Sequence, residues 1–291
     1  MYITIQNESL MLAVDTVGAQ MMSIRSADGC EYLWQGDSAY WEDRAPTLFP
    51  FIGRLTDNSY RYRGTVYPMG IHGFAAACEF TCVERCKDKM VLLLSVNEET
   101  QRQYPFDFTF FVIYALQGNG LSITYQVRND SAETMPFGVG GHPGFRVPLE
   151  AGEAFEDYIL EFRQCCKPDR VGFTPQVYLS GVDTPYPLEN GRRLRLQHSL
   201  FDEDAIILKN MAREVTLRSE NSGRGVTIFY PDMPYVGFWH WPKTDAPYVC
   251  IEPWSSLPSR QNVVEDLACK SDLIHLAAGK TYENTWTITV F

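Results

Sequence analysis

From Phe106 to Val127 apolar residues recur on every second position, and from Leu121 they alternate with polar ones. Phe106, Phe108, Phe110, Val112, Tyr114 and Leu116 fall on every second position, Gln117-Gly118-Asn119-Gly120 interrupts them, and Leu121, Ile123, Tyr125 and Val127 resume against Ser122, Thr124, Gln126 and Arg128. A period of two marks a strand with one face on a core, and a turn cluster between two such runs predicts a β-hairpin. Shorter runs predict further strands at Leu10–Val14, Val17–Ile24, Tyr158–Phe162, Arg193–Gln197, Ala205–Leu208, Val215–Arg218, Val226–Tyr230, Tyr248–Ile251 and Thr285–Val290. In the last of these, Trp286, Ile288 and Val290 share one face and three threonines the other. Helical periodicity is nearly absent; only Asn97–Gln103 predicts a turn or two of helix. Strands separated by turn signals point to an all-β sandwich.

No Pro/Gly/Ser-rich linker, composition shift or repeat divides the 291 residues, so residues 1–291 are read as a single domain. With 45% apolar and 21% charged residues, disorder is not indicated. The formal charge of −11 would repel nucleic acid and anionic lipid. Neither partner is expected. The start, Met1 to Glu8, lacks the basic and apolar regions of a signal peptide, and no apolar run approaches the ~20 residues of a membrane span. The expectation is a cytoplasmic protein with its eight cysteines reduced. Cys78, Cys82 and Cys86 recur every four residues but contain no CxxC pair and no nearby zinc-type histidine, so no metal site is assigned.

Two stretches concentrate candidate chemistry. In Gly140-Gly141-His142-Pro143-Gly144-Phe145 and in Cys250-Ile251-Glu252-Pro253-Trp254, a titratable residue precedes a proline, which restricts it to extended geometry. A fixed histidine and a fixed glutamate suit acid/base work; the bland alternative is two ordinary strand-end loops. His72, in Gly70-Ile71-His72-Gly73-Phe74, has a similar glycine-flanked setting. His198 and His275 read as structural or surface residues, and His240 is ambiguous between Trp239 and Trp241. Those tryptophans could stack on a sugar or fill the core; at least one is expected in the core. Arg54 follows an apolar run and a glycine, so it needs either ligand hydroxyls or a carboxylate partner. Of Asp202, Glu203 and Asp204, at least one should sit at a strand edge near solvent.

In order, Phe-Pro-x-x-Gly-Arg (49–54), His-Gly-Phe (72–74), Tyr-Pro-Phe-x-Phe (104–108), Gly-Gly-His-Pro-Gly-Phe (140–145) and Ile-Glu-Pro-Trp (251–254) resemble the aldose 1-epimerase, or galactose mutarotase, family in its LacX-like branch. The resemblance implies a β-supersandwich and cofactor-free exchange of α and β anomers of a free sugar. It carries the general base onto Glu252, the general acid onto His142, a second active-site histidine onto His72 and a substrate-binding arginine onto Arg54. For a hydroxyl-binding aspartate Asp204 is chosen, with Asp202 open. Ile-His-Gly-Phe stands where galactose mutarotases proper carry Asn-His-Gly-Gly, so the sugar is left open. An ionised Glu252 and a His142 kept protonated by a modest upward shift are expected. A non-catalytic sugar-binding or regulatory protein and a hexose-6-phosphate mutarotase are the alternatives; the latter would need extra cations, for which Arg61 and Arg63 are the pair nearest Arg54 in sequence. A glycoside hydrolase would need a second well-placed carboxylate.

Overall fold

The computed structural model describes residues 1–291, and its regular structure is almost wholly antiparallel strand. The alternating run forms the expected hairpin, Phe108–Gln117 paired with Gly120–Asn129, in which residues alternate between buried and partly exposed. It lies within a nine-stranded sheet that continues on one side through Thr281–Val290, Gly225–Phe229, Glu214–Ser219, Tyr158–Phe162 and Arg193–Arg195, and on the other through Lys89–Ser95 and Thr81–Arg85. An eight-stranded sheet faces it, containing Ile206–Lys209, Tyr235–Trp239 and Tyr248–Trp254 as neighbours. Side chains from both sheets enter one cluster of 67 buried residues running from Ile3 to Val290. Phe49 stacked on Phe110 at 4.5 Å and Phe162 against Phe238 at 6.2 Å are two of the contacts that join them.

The short helix forms at Glu98–Gln103, where Asn97 caps the Thr100 N–H and the Thr100 hydroxyl caps Asn97 in return. Several expectations shift. The strand expected from Val17 starts at Gln20, because Gly18 and Ala19 both take positive φ and turn the chain. The strand expected to stop at Ile251 runs on to Trp254, since a residue before proline is already extended. Tyr2–Gln6 and Tyr235–Trp239 are strands that no predicted run covered.

Tyr248–Trp254 is buried along its whole length. Val249 and Ile251 point into the main core, whereas Tyr248, Cys250 and Trp254 belong to two small clusters on the other side of the sheet. Because side chains alternate along a strand, Glu252 falls on that second face. No helix is long and apolar enough to cross a membrane.

Candidate active site

Glu252 lies on the floor of a cavity of about 290 Å³ and is only 1% exposed. Opposite it in register stands Gly237, where any Cβ would come within 2.9 Å of Ile207 and 3.3 Å of the Glu252 side chain. The glycine leaves the carboxylate its room. His142 is brought alongside by two very short strands, Gly140–Gly141 and Gly144–Arg146, which pair with the glutamate strand at Trp254 and Cys250. Between those pairings, Ile251 donates its N–H to the Pro143 carbonyl at 3.1 Å. The result is His142 Nε2 3.2 Å from Glu252 Oε2. Gly141 is needed for packing: a Cβ there would sit 2.6 Å from the Trp286 ring.

His72 joins from a loop, at a φ of 63° that costs a non-glycine residue strain. A reciprocal pair of hydrogen bonds holds it: its N–H donates to the Gly53 carbonyl at 3.0 Å, and Gly53 N–H donates to His72 Nδ1 at 3.1 Å. With Nδ1 accepting, the ring proton belongs on Nε2, so neutral His72 offers a donor. The same contact sets Arg54, the next residue, on the cavity wall. Arg54 makes no ion pair, which answers whether its partner is a structural carboxylate. Asp204 also lines the cavity, held at a φ of 75°, while Asp202 and Glu203 face an adjoining one.

Tryptophan encloses the pair. Ring centroids of Trp41 and Trp239 lie 5.0 and 5.6 Å from that of His142, and Trp241 and Trp254 complete the wall. Both Trp239 and Trp241 line the cavity; Trp239 is half-buried and also packs against the small cluster of Trp34, Ala246, Tyr248 and Cys250, whereas Trp241 is 45% exposed. His240 between them turns the other way and contacts His198 at 3.2 Å. His275 is exposed. Trp41 and Asp43 are lining residues that sequence reasoning missed; the aromatic and acidic run Tyr40-Trp41-Glu42-Asp43 was the available signal.

Burial sets the protonation. It pushes His142 down to about 4 and His72 down to about 3, with neighbouring positive charge from His142 and Arg54 adding to the second shift. Burial, then the Asp204 charge, lifts Glu252 well above the carboxylate range, against a pull from the Trp254 indole. This corrects the expected ionised glutamate and upward-shifted histidine. A charged pair and a neutral pair hold the same single proton, and burial favours placing it on Glu252. Glu252 Oε2, His142 Nδ1 and Trp254 Nε1 are all buried without a hydrogen-bond partner. Such orphaned groups are expensive in a closed interior, so their concentration here points to a ligand that satisfies them.

The family model described as aldose 1-epimerase matches residues 1–288. The chain belongs to the aldose 1-epimerase family. Among curated proteins, the plasmid-borne protein LacX of Lactococcus lactis is 36% identical, with 98% of this chain and 99% of that protein aligned. Among solved structures, a galactose mutarotase related enzyme from Lactobacillus acidophilus superposes with a TM-score of 0.95 at 35% identity, covering 100% of this chain and 97% of that one. A galactose mutarotase-like protein from Lactobacillus casei gives 0.93 at 32% identity, with both chains fully covered. An isomerase-type activity and a sugar substrate are what this aldose 1-epimerase family supports, and the galactose mutarotase-like β architecture is shared.

Proposed function

We propose that this chain is an aldose 1-epimerase acting on a neutral free aldose, with residues 1–291 working as one domain around the shared core. Glu252 and His142 exchange the protons, while His72, Arg54 and Asp204 hold the sugar hydroxyls. The observation that carries this reading is the unpartnered Glu252 carboxyl oxygen 3.2 Å from His142 Nε2, at the base of a tryptophan-walled cavity.

The pair's single proton gives the sequence of steps. With the ring form seated, the proton sits on His142 and Glu252 is ionised, an arrangement favoured by the donors the sugar and Trp254 bring to the carboxylate. Glu252 takes the C1-hydroxyl proton, His142 gives its proton to the ring oxygen, and the C1–O bond to the ring breaks to leave an aldehyde. Rotation about C1–C2 presents the other carbonyl face. Closure reverses both transfers: the former ring hydroxyl attacks C1, His142 takes back its proton, and Glu252 returns one to O1. In the open-chain stage Glu252 is protonated and His142 neutral, which is the arrangement burial favours in the free site. Desolvation therefore stabilises the stage that is hardest to reach. His72 Nε2–H and the Arg54 guanidinium are suited to charge developing on the oxygens.

A hexose-6-phosphate is disfavoured by charge. Arg54 is the one cationic lining residue against Asp43 and Asp204, and neither Arg61 nor Arg63 lines the cavity; Arg63 pairs instead with Glu133. The test is NMR exchange between anomers for glucose, galactose, other aldoses and their 6-phosphates. Acceleration by wild type and not by Glu252→Gln supports the reading. Sugar binding with no acceleration would replace it with a sugar-binding protein.

A further inference from the structure

Cys250 has no part in the proton transfers, yet it lies on the same face of the glutamate strand, two residues before Glu252 and wholly buried. One ligand atom each from His142, Cys250 and Glu252 fall within 4.8 Å of one another. We propose that these three side chains form an inhibitory site for a thiophilic divalent cation of the Zn²⁺ type, which shuts the proposed acid/base pair by binding both of its members.

Three observations support the site. The 3.2 Å edge between His142 Nε2 and Glu252 Oε2 is already that of a metal tetrahedron; zinc bonds of about 2.0–2.1 Å to nitrogen and oxygen require an edge of about 3.3 Å. Glu252 Oε2 is buried and has no hydrogen-bond partner, so a ligand-competent atom points into the cluster. His142 and Glu252 also line the cavity, which supplies an entry path and a fourth position for water. Three protein ligands and one open position make up the usual arrangement for zinc accessible to small molecules. One nitrogen, one sulfur and one oxygen donor favour zinc, cobalt or cadmium over magnesium and calcium, which take oxygen sets.

Binding displaces the thiol proton of Cys250 and the carboxyl proton of Glu252 to solvent, while neutral His142 offers a lone pair directly. No other group of histidine, cysteine and carboxylate converges in this way; Cys78, Cys82 and Cys86 contribute to none. The ion would occupy the place of the sugar's O1 and ring oxygen. Sugar and metal must therefore compete.

The experiment uses the full chain and Cys250→Ala, with Cys250→Ser as the second variant should the first fail to fold. Added Co²⁺ should give wild type a near-ultraviolet thiolate-to-cobalt band that the variant lacks, a readout independent of turnover. Added Zn²⁺ should inhibit anomer exchange by wild type competitively with sugar. Even outer-shell partners are worth about 10–100-fold in metal affinity, so loss of a direct ligand should weaken inhibition by at least about tenfold. Without metal the variant should exchange anomers at the wild-type rate. The inference fails if both proteins are inhibited equally, as they would be through the exposed Cys86, Cys165 or Cys269, or if sugar gives no protection. If no sugar is turned over, the function proposed above fails, and the cobalt band alone still decides this one.

Discussion

The hairpin Phe108–Asn129 and the strand Tyr248–Trp254 are both central and both buried, but they use burial in opposite ways. In the hairpin every inward side chain from Phe108 to Val127 is apolar or a tyrosine, so removal from water is favourable. The glutamate strand follows that rule on one face, with Val249 and Ile251, and breaks it on the other, where Glu252 is desolvated without a compensating hydrogen bond. The first region holds the fold. The second draws on that stability to keep a carboxyl group buried without a partner. The comparison teaches that a buried polar group with no partner is best read as chemistry awaiting a ligand, provided the opposite face of its strand is anchored.

The sharpest separation should come from Glu252→Gln. Anomer exchange is expected to fall by about 10²–10⁴-fold, the usual loss for one acid/base partner, while the melting temperature stays level or rises because no carboxyl has to be desolvated. A lowered melting temperature would mean that Glu252 contributes to the fold. The mirror-image substitution is Ile123→Ala in the hairpin, at a fully buried position. It should cost about 2–5 kcal/mol of unfolding free energy, with kcat/KM per folded molecule unchanged. Denaturant titration beside kinetics reads both quantities. Next in size is Arg54→Met, which leaves the core untouched because the arginine is exposed and unpaired. Loss of charged hydrogen bonds worth about 1.5–3 kcal/mol should raise KM or lower kcat without moving the melting curve.

Acid should divide the two regions again. His72 and His142 stay neutral in the folded chain down to about 3 and about 4, whereas in the unfolded chain histidines take up protons below about 6.5. At these two residues the unfolded state then binds more protons; the proton that Glu252 keeps in the folded chain offsets the His142 share, so the loss of stability as pH falls from about 6.5 comes mainly through His72. The hairpin contains no histidine and adds nothing to this slope. Melting temperature followed from pH 7 to pH 4 should decline in wild type and decline less in His72→Gln. Equal slopes would remove His72 from this account.

How much was legible follows from the same contrast. Period-two alternation is a local pattern, so the hairpin and the Trp286 face could be read residue by residue. His142 and Glu252 were visible because a proline after each restricts its backbone. The proton's position on Glu252 was not, since it depends on Trp41, Trp239 and His72 closing around the pair from distant parts of the chain. Gly237 reads as an interruption in an apolar stretch until its place opposite Glu252 is known. Trp41 and Asp43 come from a stretch without periodicity, and only the fold carries them to the cavity.

Trp254 tests the boundary between the two uses of burial, because it is a large apolar ring with an unpartnered N–H beside Glu252. Trp254→Phe keeps most of the packing and deletes the donor. If the indole serves only to fill space, stability changes slightly and the pH profile of kcat/KM keeps its shape. If its N–H supports the carboxylate during turnover, the ionised form of Glu252 becomes less favourable and its upward shift grows. The alkaline limb, where the pair loses its one remaining proton, should then move to higher pH, while the acid limb near 4, set by protonation of His142, stays in place. The expected displacement is under about one pH unit, matching a net hydrogen bond of about 0.5–1.5 kcal/mol. The plateau should drop severalfold, because the tautomer with its proton on His142 is rarer. A uniform loss of rate with both limbs unmoved would assign Trp254 to packing alone and leave the carboxylate to be stabilised by the sugar's own hydroxyls.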